Sequence, residues 1–351
     1  MIRISPKQQK VINLFLRHNR LSSSEVHGLL TKAGEETSLV TVKRDLSRMA
    51  TLKLLAASGR GRSRAYSISV LGRIFSTVDA ESYNAVEPDK RYGLANFNFD
   101  LLPSFPAEIF TAAELTILKE ATGEYHRRTA DLPPAIEKKE LERLIIELSW
   151  KSSKIEGNTY TLLDTEKLIL EHQEAPGHDK KEARMILNHK DAFTFVHENK
   201  KEFRILTRAN LEQLHGLLVK DLNVNTGLRQ KSVGVTGSKY RPLDNGHQIK
   251  EAVEALAAAV ARADTPYDQA LVALLGLSYI QPFDDGNKRT ARIMANALLL
   301  AHDCAPLSYR SVEEKDYREA ILVFYELNSI GPFKNIFVEQ YLFAAKNYAV
   351  K

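Results

Sequence analysis

The sequence predicts a mainly α-helical protein in two parts. A small basic module of helices and a hairpin stands first, and a larger helical domain with one small hairpin follows. Three observations carry this. Apolar residues recur at steps of three or four along most of the 351 residues. Strand-like alternation is confined to two short places. The charge is lopsided: residues 1–75 hold 14 Lys+Arg against 4 Asp+Glu, a balance of +10, whereas the whole chain carries +5. Hydrophobic residues at 44% and charged residues at 26% are those of a globular protein, and the length suits two domains. Cys304 is the single cysteine, which excludes a disulfide framework and a multi-Cys zinc site; a reducing, cytoplasmic setting is expected. No apolar run approaches the ~20 residues that span a bilayer, and charge interrupts the first twenty residues where a signal peptide would be apolar.

Residues 6–19 read as a first helix, with Pro6 in its first turn and Val11, Ile12, Leu14, Phe15 and Leu16 on one side. Ser22, Ser23 and Ser24 offer N-caps to a short second helix carrying Val26, Leu29 and Leu30, and Gly34 marks the turn after it. Ser38 caps a third helix over 39–50, whose buried stripe is Leu39, Val42, Leu46 and Met49. Its other side shows Thr41, Lys43, Arg44, Ser47 and Arg48, side chains that donate to phosphates or base edges. KLLAAS and AYSIS then flank the basic tip GRGRSR, a hairpin presenting Arg60, Arg62 and Arg64. This order of helices and basic hairpin resembles a winged helix-turn-helix, and TVKRDLSRM resembles the recognition helix of DeoR-type regulators. The resemblance implies duplex DNA as a partner, and the +10 charge agrees.

Residues 76–110 read as an irregular connector, with Pro88, Gly93, Pro103 and Pro106 breaking periodicity. Helical periodicity resumes near Thr111. Pro133 and Pro134 interrupt it and start a helix over about 135–153. Further helices are expected over about 160–172, 180–198, 207–221, 247–262, 267–280, 287–302 and 313–328. Only KSVGVTGSKY, residues 231–240, has the alternation and glycines of a hairpin.

The densest chemistry lies in QPFDDGNKRTARIMANALLL, residues 281–300. The turn DDGN opens a helix whose first N–H groups lack intrahelical partners, so the turn can nest an anion. Gly286 permits close backbone approach. Asn287 can hold the loop or donate to a phosphate. Arg289 and Arg292 lie three apart on neighbouring parts of one helix face, which suits a di- or triphosphate. Asp285 could hold Mg2+ bridging those phosphates.

These residues resemble the Fic (Fido) family, whose pattern is H-P-F-x-D/E-G-N-G-R-x-x-R at a loop before a helix. The resemblance covers about residues 111–351 and implies an all-helical Fic fold with a small β-hairpin flap. It implies ATP as substrate or ligand, Mg2+ on Asp285, an anion hole at Gly286 and Asn287, and phosphate binding by Arg289 and Arg292. Most members move AMP from ATP to a protein hydroxyl, so an unidentified protein target is also implied. Two departures stand out. Gln281 occupies the place of the catalytic His, and an amide is no general base near neutral pH; losing the base removes ~10²–10⁴-fold in rate. Lys288 replaces the usual glycine, and GNKRTA is similar to the Doc toxins, which phosphorylate their targets. AMP transfer, Doc-like phosphate transfer, and a DNA-binding regulator whose Fic fold senses nucleotide or partner are the three functions this leaves open.

Ser152, Glu156 and Gly157 match the family's inhibitory helix, S/T-x-x-x-E-G/N, which places that helix near 137–157. By resemblance the Glu156 carboxylate pairs with Arg292 and blocks the γ-phosphate position. Residues 226–243 resemble the Fic flap, with Val233, Val235 and Tyr240 lining a strand that docks a target. Tyr309, Arg310, Tyr317 and Tyr325 form a cluster read as packing. His172, His178, His189 and His197 lack metal-ligand spacing. A second copy of the chain is a candidate partner; a membrane is not expected.

Overall fold

A computed structural model describes residues 4–350, with the Arg62 side chain outside the described residues. The protein is mainly helical. Its helices divide between two compact units: residues 1–105 with 235–240 and 319–333, and residues 106–234 with 241–318 and 334–351.

The first unit opens with α1 (Pro6–Arg17), β1 (Leu21–Ser22), α2 (Ser23–Lys32), α3 (Leu39–Thr51), β2 (Leu55–Ser58) and β3 (Ala65–Ile68). The helices start where side chains can satisfy first-turn N–H groups. Ser5 and Gln8 form a capping box on α1, Ser22 and Glu25 another on α2, and Ser38 accepts from Thr41 N. The strands form one antiparallel sheet in the order β1-β3-β2, with Leu21 opposite Tyr66 and Ala57 opposite Tyr66 on the other side. The expected hairpin is therefore present as β2–β3, and a 3-10 turn at Gly61–Ser63 forms its tip. Ile12, Phe15, Val26, Leu46, Met49 and Leu54 make the core beneath the sheet. Two short helices, α4 (Val70–Ile74) and α5 (Ala80–Asn84), precede an irregular run to Phe105.

The second unit holds α6 (Ala112–Thr129), α7 (Pro134–Ile155), α8 (Leu162–Glu171), α9 (Lys180–Glu198), α10 (Arg208–Leu218), α11 (Gly246–Arg262), α12 (Pro266–Ile280) and α13 (Asn287–Ala301). The chain ends with α14 (Glu314–Leu327) and α15 (Gly331–Asn347). Helix α12 is buried on every side from Ala270 to Ile280, the pattern of a central helix. It packs on α13, and α7, α9 and α10 pack on α13 in turn. No helix among the described residues is long and apolar enough to cross a membrane.

One expectation is corrected. Residues 231–240 form no paired hairpin. Val233 and Val235 are half-buried between exposed neighbours, which produces the alternation, but no ladder joins them. The segment turns at Gly237 (φ 77°), where Ser238 N bonds Val235 O at 3.2 Å. Helix α15 is an element the periodicity did not assign.

Candidate functional site

The site is the loop between α12 and α13. Helix α12 ends at Gln281, which adopts a left-handed conformation (φ 52°, ψ 58°) that turns the chain sharply. Gly286 (φ 78°) then sets the start of α13 and supplies no side chain to cap it, so the first-turn N–H groups of α13 face the loop. A methyl group on Gly286 would also crowd Val219 Cγ1, at 3.2 Å.

The loop is fixed from several directions. Asn287 Oδ1 accepts from Phe283 N and Asn287 Nδ2 donates to Phe283 O, each at 2.8 Å. The Asn287 amide thus holds the loop, the first of its two expected roles. Phe283 is fully buried and stacks on His215 at 3.8 Å between centroids and 4° between planes. His215 Nε2 meets Asp285 O at 3.0 Å, and burial lowers the imidazole pKa. Arg229, buried, donates Nε to Gln281 O at 2.6 Å, while its backbone N donates to Pro282 O at 3.0 Å. Gln281 Nε2 donates to Ser278 O at 2.6 Å. Neither His215 nor Arg229 was singled out by sequence reasoning. Arg229 bonds backbone carbonyls, which leave no pattern in a single sequence. His215 is one turn-face residue of α10, without a motif around it.

Both arginines are buried at the head of α13. Arg289 donates to Asp285 Oδ2 at 3.1 Å; burial lowers its pKa and Asp285 offsets part of that. Arg292, fully buried, donates Nε to Ser152 Oγ at 2.8 Å, and Nη2 to Ser152 O at 2.9 Å and to Glu156 Oε1 at 2.8 Å. Its guanidinium carbon lies 5.4 Å from the centroid of the Tyr317 ring. Burial opposes the Arg292 charge, but Tyr317 and Glu156 outweigh it and hold the pKa above the usual guanidinium value.

Glu156 meets a second cation, because Lys288 Nζ reaches its Oε2 at 2.9 Å. Each carboxylate oxygen therefore has its own cation from α13. Burial pushes the Glu156 pKa up, yet Arg292 and Lys288 together bring it down to about 2. Gly157 (φ 96°) ends α7 here, and Asn158 N returns to Ser153 O at 3.1 Å. The structure brings Ser152, Glu156, Lys288, Arg289 and Arg292 together as one cluster. His189 joins it: the ring is fully buried, neither nitrogen has a partner among the described residues, and burial followed by the Arg292 and Arg289 charges holds its pKa well below normal. Sequence reasoning had set His189 aside for want of metal spacing.

No group of three or more His, Cys, Asp or Glu side chains clusters to hold a metal among the described residues. Asp285 is 65% exposed, with one carboxylate oxygen on Arg289. A lone carboxylate fits Mg2+, which keeps waters and phosphate oxygens as its other ligands.

Of the remaining predicted residues, Val233 is half-buried in the second unit. Val235 and Tyr240 belong to the first unit, where Tyr240 stacks on Tyr325 at 5.5 Å. Lys43, Arg44, Arg48, Arg60 and Arg64 are exposed. Thr41 is half-buried and bonded to Ser38.

The loop and the helices around it have known counterparts. Residues 205–299 match the Fic/DOC family. The match takes in α10 to α13 and the loop, and α7 lies outside it. "Protein adenylyltransferase Fic" of Nematostella vectensis is 27% identical over 174 residues, which are 48% of this chain and 41% of that protein. "Protein adenylyltransferase fic-1" of Caenorhabditis elegans is 24% identical over 51% of this chain and 36% of its own length. The chain thus spans about two-fifths of these curated relatives. Among solved structures, C. elegans Fic-1 (residues 134–508) superposes with a TM-score of 0.58 at 17% identity, over 68% of this chain and 72% of that one. A Fic family protein from Desulfovibrio desulfuricans gives 0.56 at 20% identity, over 69% and 75%. The likeness, over about two-thirds of the chain, shows a Fic-type fold.

Proposed function

We propose that this protein binds ATP at the head of α13 and transfers AMP to a protein hydroxyl, under restraint by Glu156. The observation that carries the reading is the Glu156 carboxylate seated on Lys288 and Arg292. A carboxylate so placed imitates a phosphate, and the cations it occupies are those a polyphosphate would need. Two curated relatives named as protein adenylyltransferases support the choice of AMP over other groups.

In such a transfer the target oxygen attacks the α-phosphorus. Its bond forms as the bond to the β-phosphate bridging oxygen breaks, and pyrophosphate leaves. The first-turn N–H groups of α13, with Arg289 and Arg292, hold the phosphates. Asp285 would hold Mg2+, which supplies charge neutralisation when bound. The proton of the attacking hydroxyl must go to an acceptor. Gln281 is not one, and its amide N–H is already given to Ser278 O. Turnover is therefore slow, limited by this missing base as well as by Glu156.

The test is label transfer from ATP to proteins of a cell lysate, with α- or γ-labelled nucleotide. It compares the parent, Glu156→Gly, Gln281→His and the double variant. Glu156→Gly should transfer α-label faster than the parent, and adding Gln281→His should raise that by ~10²–10⁴-fold. Label arriving only from the γ position would instead make Lys288 the mark of a Doc-like phosphotransferase. No label from the double variant sinks the transferase reading.

A second reading rests on a separate observation, the exposed Lys43, Arg44, Arg48, Arg60 and Arg64 on α3 and the β2–β3 tip. We read the module of residues 1–75 as a winged helix that binds duplex DNA, with α3 in the major groove. A gel shift at low salt, with and without ATP, decides it: no retained duplex in either lane removes the regulator function.

A further inference from the structure

A cavity of about 540 Å³ lies wholly within the first unit, between the end of α1 and the run from Thr77 to Tyr92. It belongs neither to the loop before α13 nor to the basic face of α3. Its volume is that of an ordinary small-molecule site. Three cationic side chains and one carboxylate line it: Arg17, Lys90 and Arg91 against Asp79.

These charges are not equally available. Arg91 is buried and committed. Its Nε donates to Val86 O at 2.7 Å, and its terminal nitrogens donate to Asn84 O at 3.1 Å, Gly237 O at 3.0 Å and Glu326 Oε1 at 3.3 Å. Lys90 leans on Glu87 at 2.7 Å. The Asp79 carboxylate is spent on the cap of α5, accepting from Ser82 N at 2.7 Å. Arg17 is different. It makes no ion pair or hydrogen bond among the described residues, and its guanidinium carbon lies 5.3 Å from the centroid of the Tyr92 ring. Tyr92 stands edge-on to buried Tyr83, at 5.2 Å and 83°, and Tyr83 Oη donates to Glu326 Oε2 at 2.7 Å. The wall is thus built before any ligand arrives, and the Arg17 guanidinium beside the half-buried Tyr92 ring is the cation left to recognise one. Val78 and Val86 add apolar surface.

We propose that this cavity binds a small organic anion bearing a planar ring. The anionic group takes the Arg17 fork, a planar donor suited to a carboxylate or phosphate, and the ring packs by Tyr92. A nucleoside monophosphate and an aromatic carboxylate share this chemistry, so the two serve as probes for its source.

The test is calorimetric titration of the full chain with AMP and with benzoate, alongside adenosine (ring without anion) and inorganic phosphate (anion without ring). AMP can also enter the site before α13, so every titration is repeated in Arg17→Ala, Arg17→Lys and Tyr92→Leu. Arg17 is exposed on α1, so its truncation leaves the core intact, and a thermal melt of each variant confirms folding. One ring anion should bind, and lose about tenfold or more in affinity in both Arg17→Ala and Tyr92→Leu. Arg17→Lys should fall between, and adenosine and phosphate should bind more weakly than the ring anion. AMP binding unchanged in both variants places AMP at the α13 site, and the proposal is overturned if benzoate binding is unchanged in them as well. The failure of both ring anions to bind at millimolar concentration overturns it too, as does phosphate binding as tightly as either.

Discussion

Glu156 is held by two cations while its side chain remains 18% exposed. Its folded pKa of about 2 lies below the ordinary value of 4.5. A depressed carboxylate pKa contributes stability that is fully present above the unfolded value and is lost as pH falls through the folded one. Between pH 4.5 and about 2 the protein should therefore lose up to about 3 kcal/mol that Glu156→Gln never had. Urea midpoints of the two proteins, converging as pH falls through that window, would check this. In the proposed function the same contacts oppose ATP at neutral pH. Glu156→Gly frees Arg292 and Lys288 together, and ATP affinity by titration should rise about tenfold, or 1.4 kcal/mol. Lys288→Ala should give no such rise, because it removes a cation the polyphosphate would need while Arg292 keeps its hold on Glu156. The arginines, Glu156 and Ser152 were legible in the sequence because their spacing is local to a motif. The arm from Lys288 was not, since the inhibitory pattern pairs its glutamate with the second arginine and gives no partner to the lysine.

At the scale of elements, the site depends on how two helices begin and end. Asn287 closes the loop by exchanging both amide groups with Phe283. Asn287→Ala leaves a buried N–H and C=O unpaired, at about 1–3 kcal/mol each where no water replaces the amide. A lowered denaturant midpoint with weakened ATP binding is expected. Gly157 works at the other helix, where φ of 96° ends α7. A side chain has space there but not the conformation. Gly157→Ala should cost about 1–2 kcal/mol in melting experiments and loosen Glu156, so ATP should bind more tightly although the protein is less stable. Most helices were readable because their apolar stripes and Ser or Thr caps obey local rules, α1 to α3 most clearly. The 231–240 segment was misread because alternating burial needs only one covering surface, whereas a hairpin needs a second strand. Arg229 and His215 escaped for a related reason: they act on the loop from distant elements.

Over the whole molecule, charge is divided as the sequence implied, with +10 in residues 1–75 and a net +5 for the chain. If α3 lies against phosphates, affinity for duplex DNA falls steeply with salt. Lys43→Ala and Arg44→Ala should each reduce the slope of log K against log salt by about 0.9. A fluorescence-anisotropy series at several salt concentrations measures it; unchanged slopes would take α3 out of the interface. The matched Fic/DOC residues, 205–299, take in the loop before α13 and most of that helix. Gln281 adopts a left-handed turn, its carbonyl receives Arg229, and Asn287 braces the loop. On the proposed reading, this held turn is the place of a base, and the chain puts an amide there. Glutamine and histidine codons differ only in their last base, so a single point mutation would set an imidazole on this held turn.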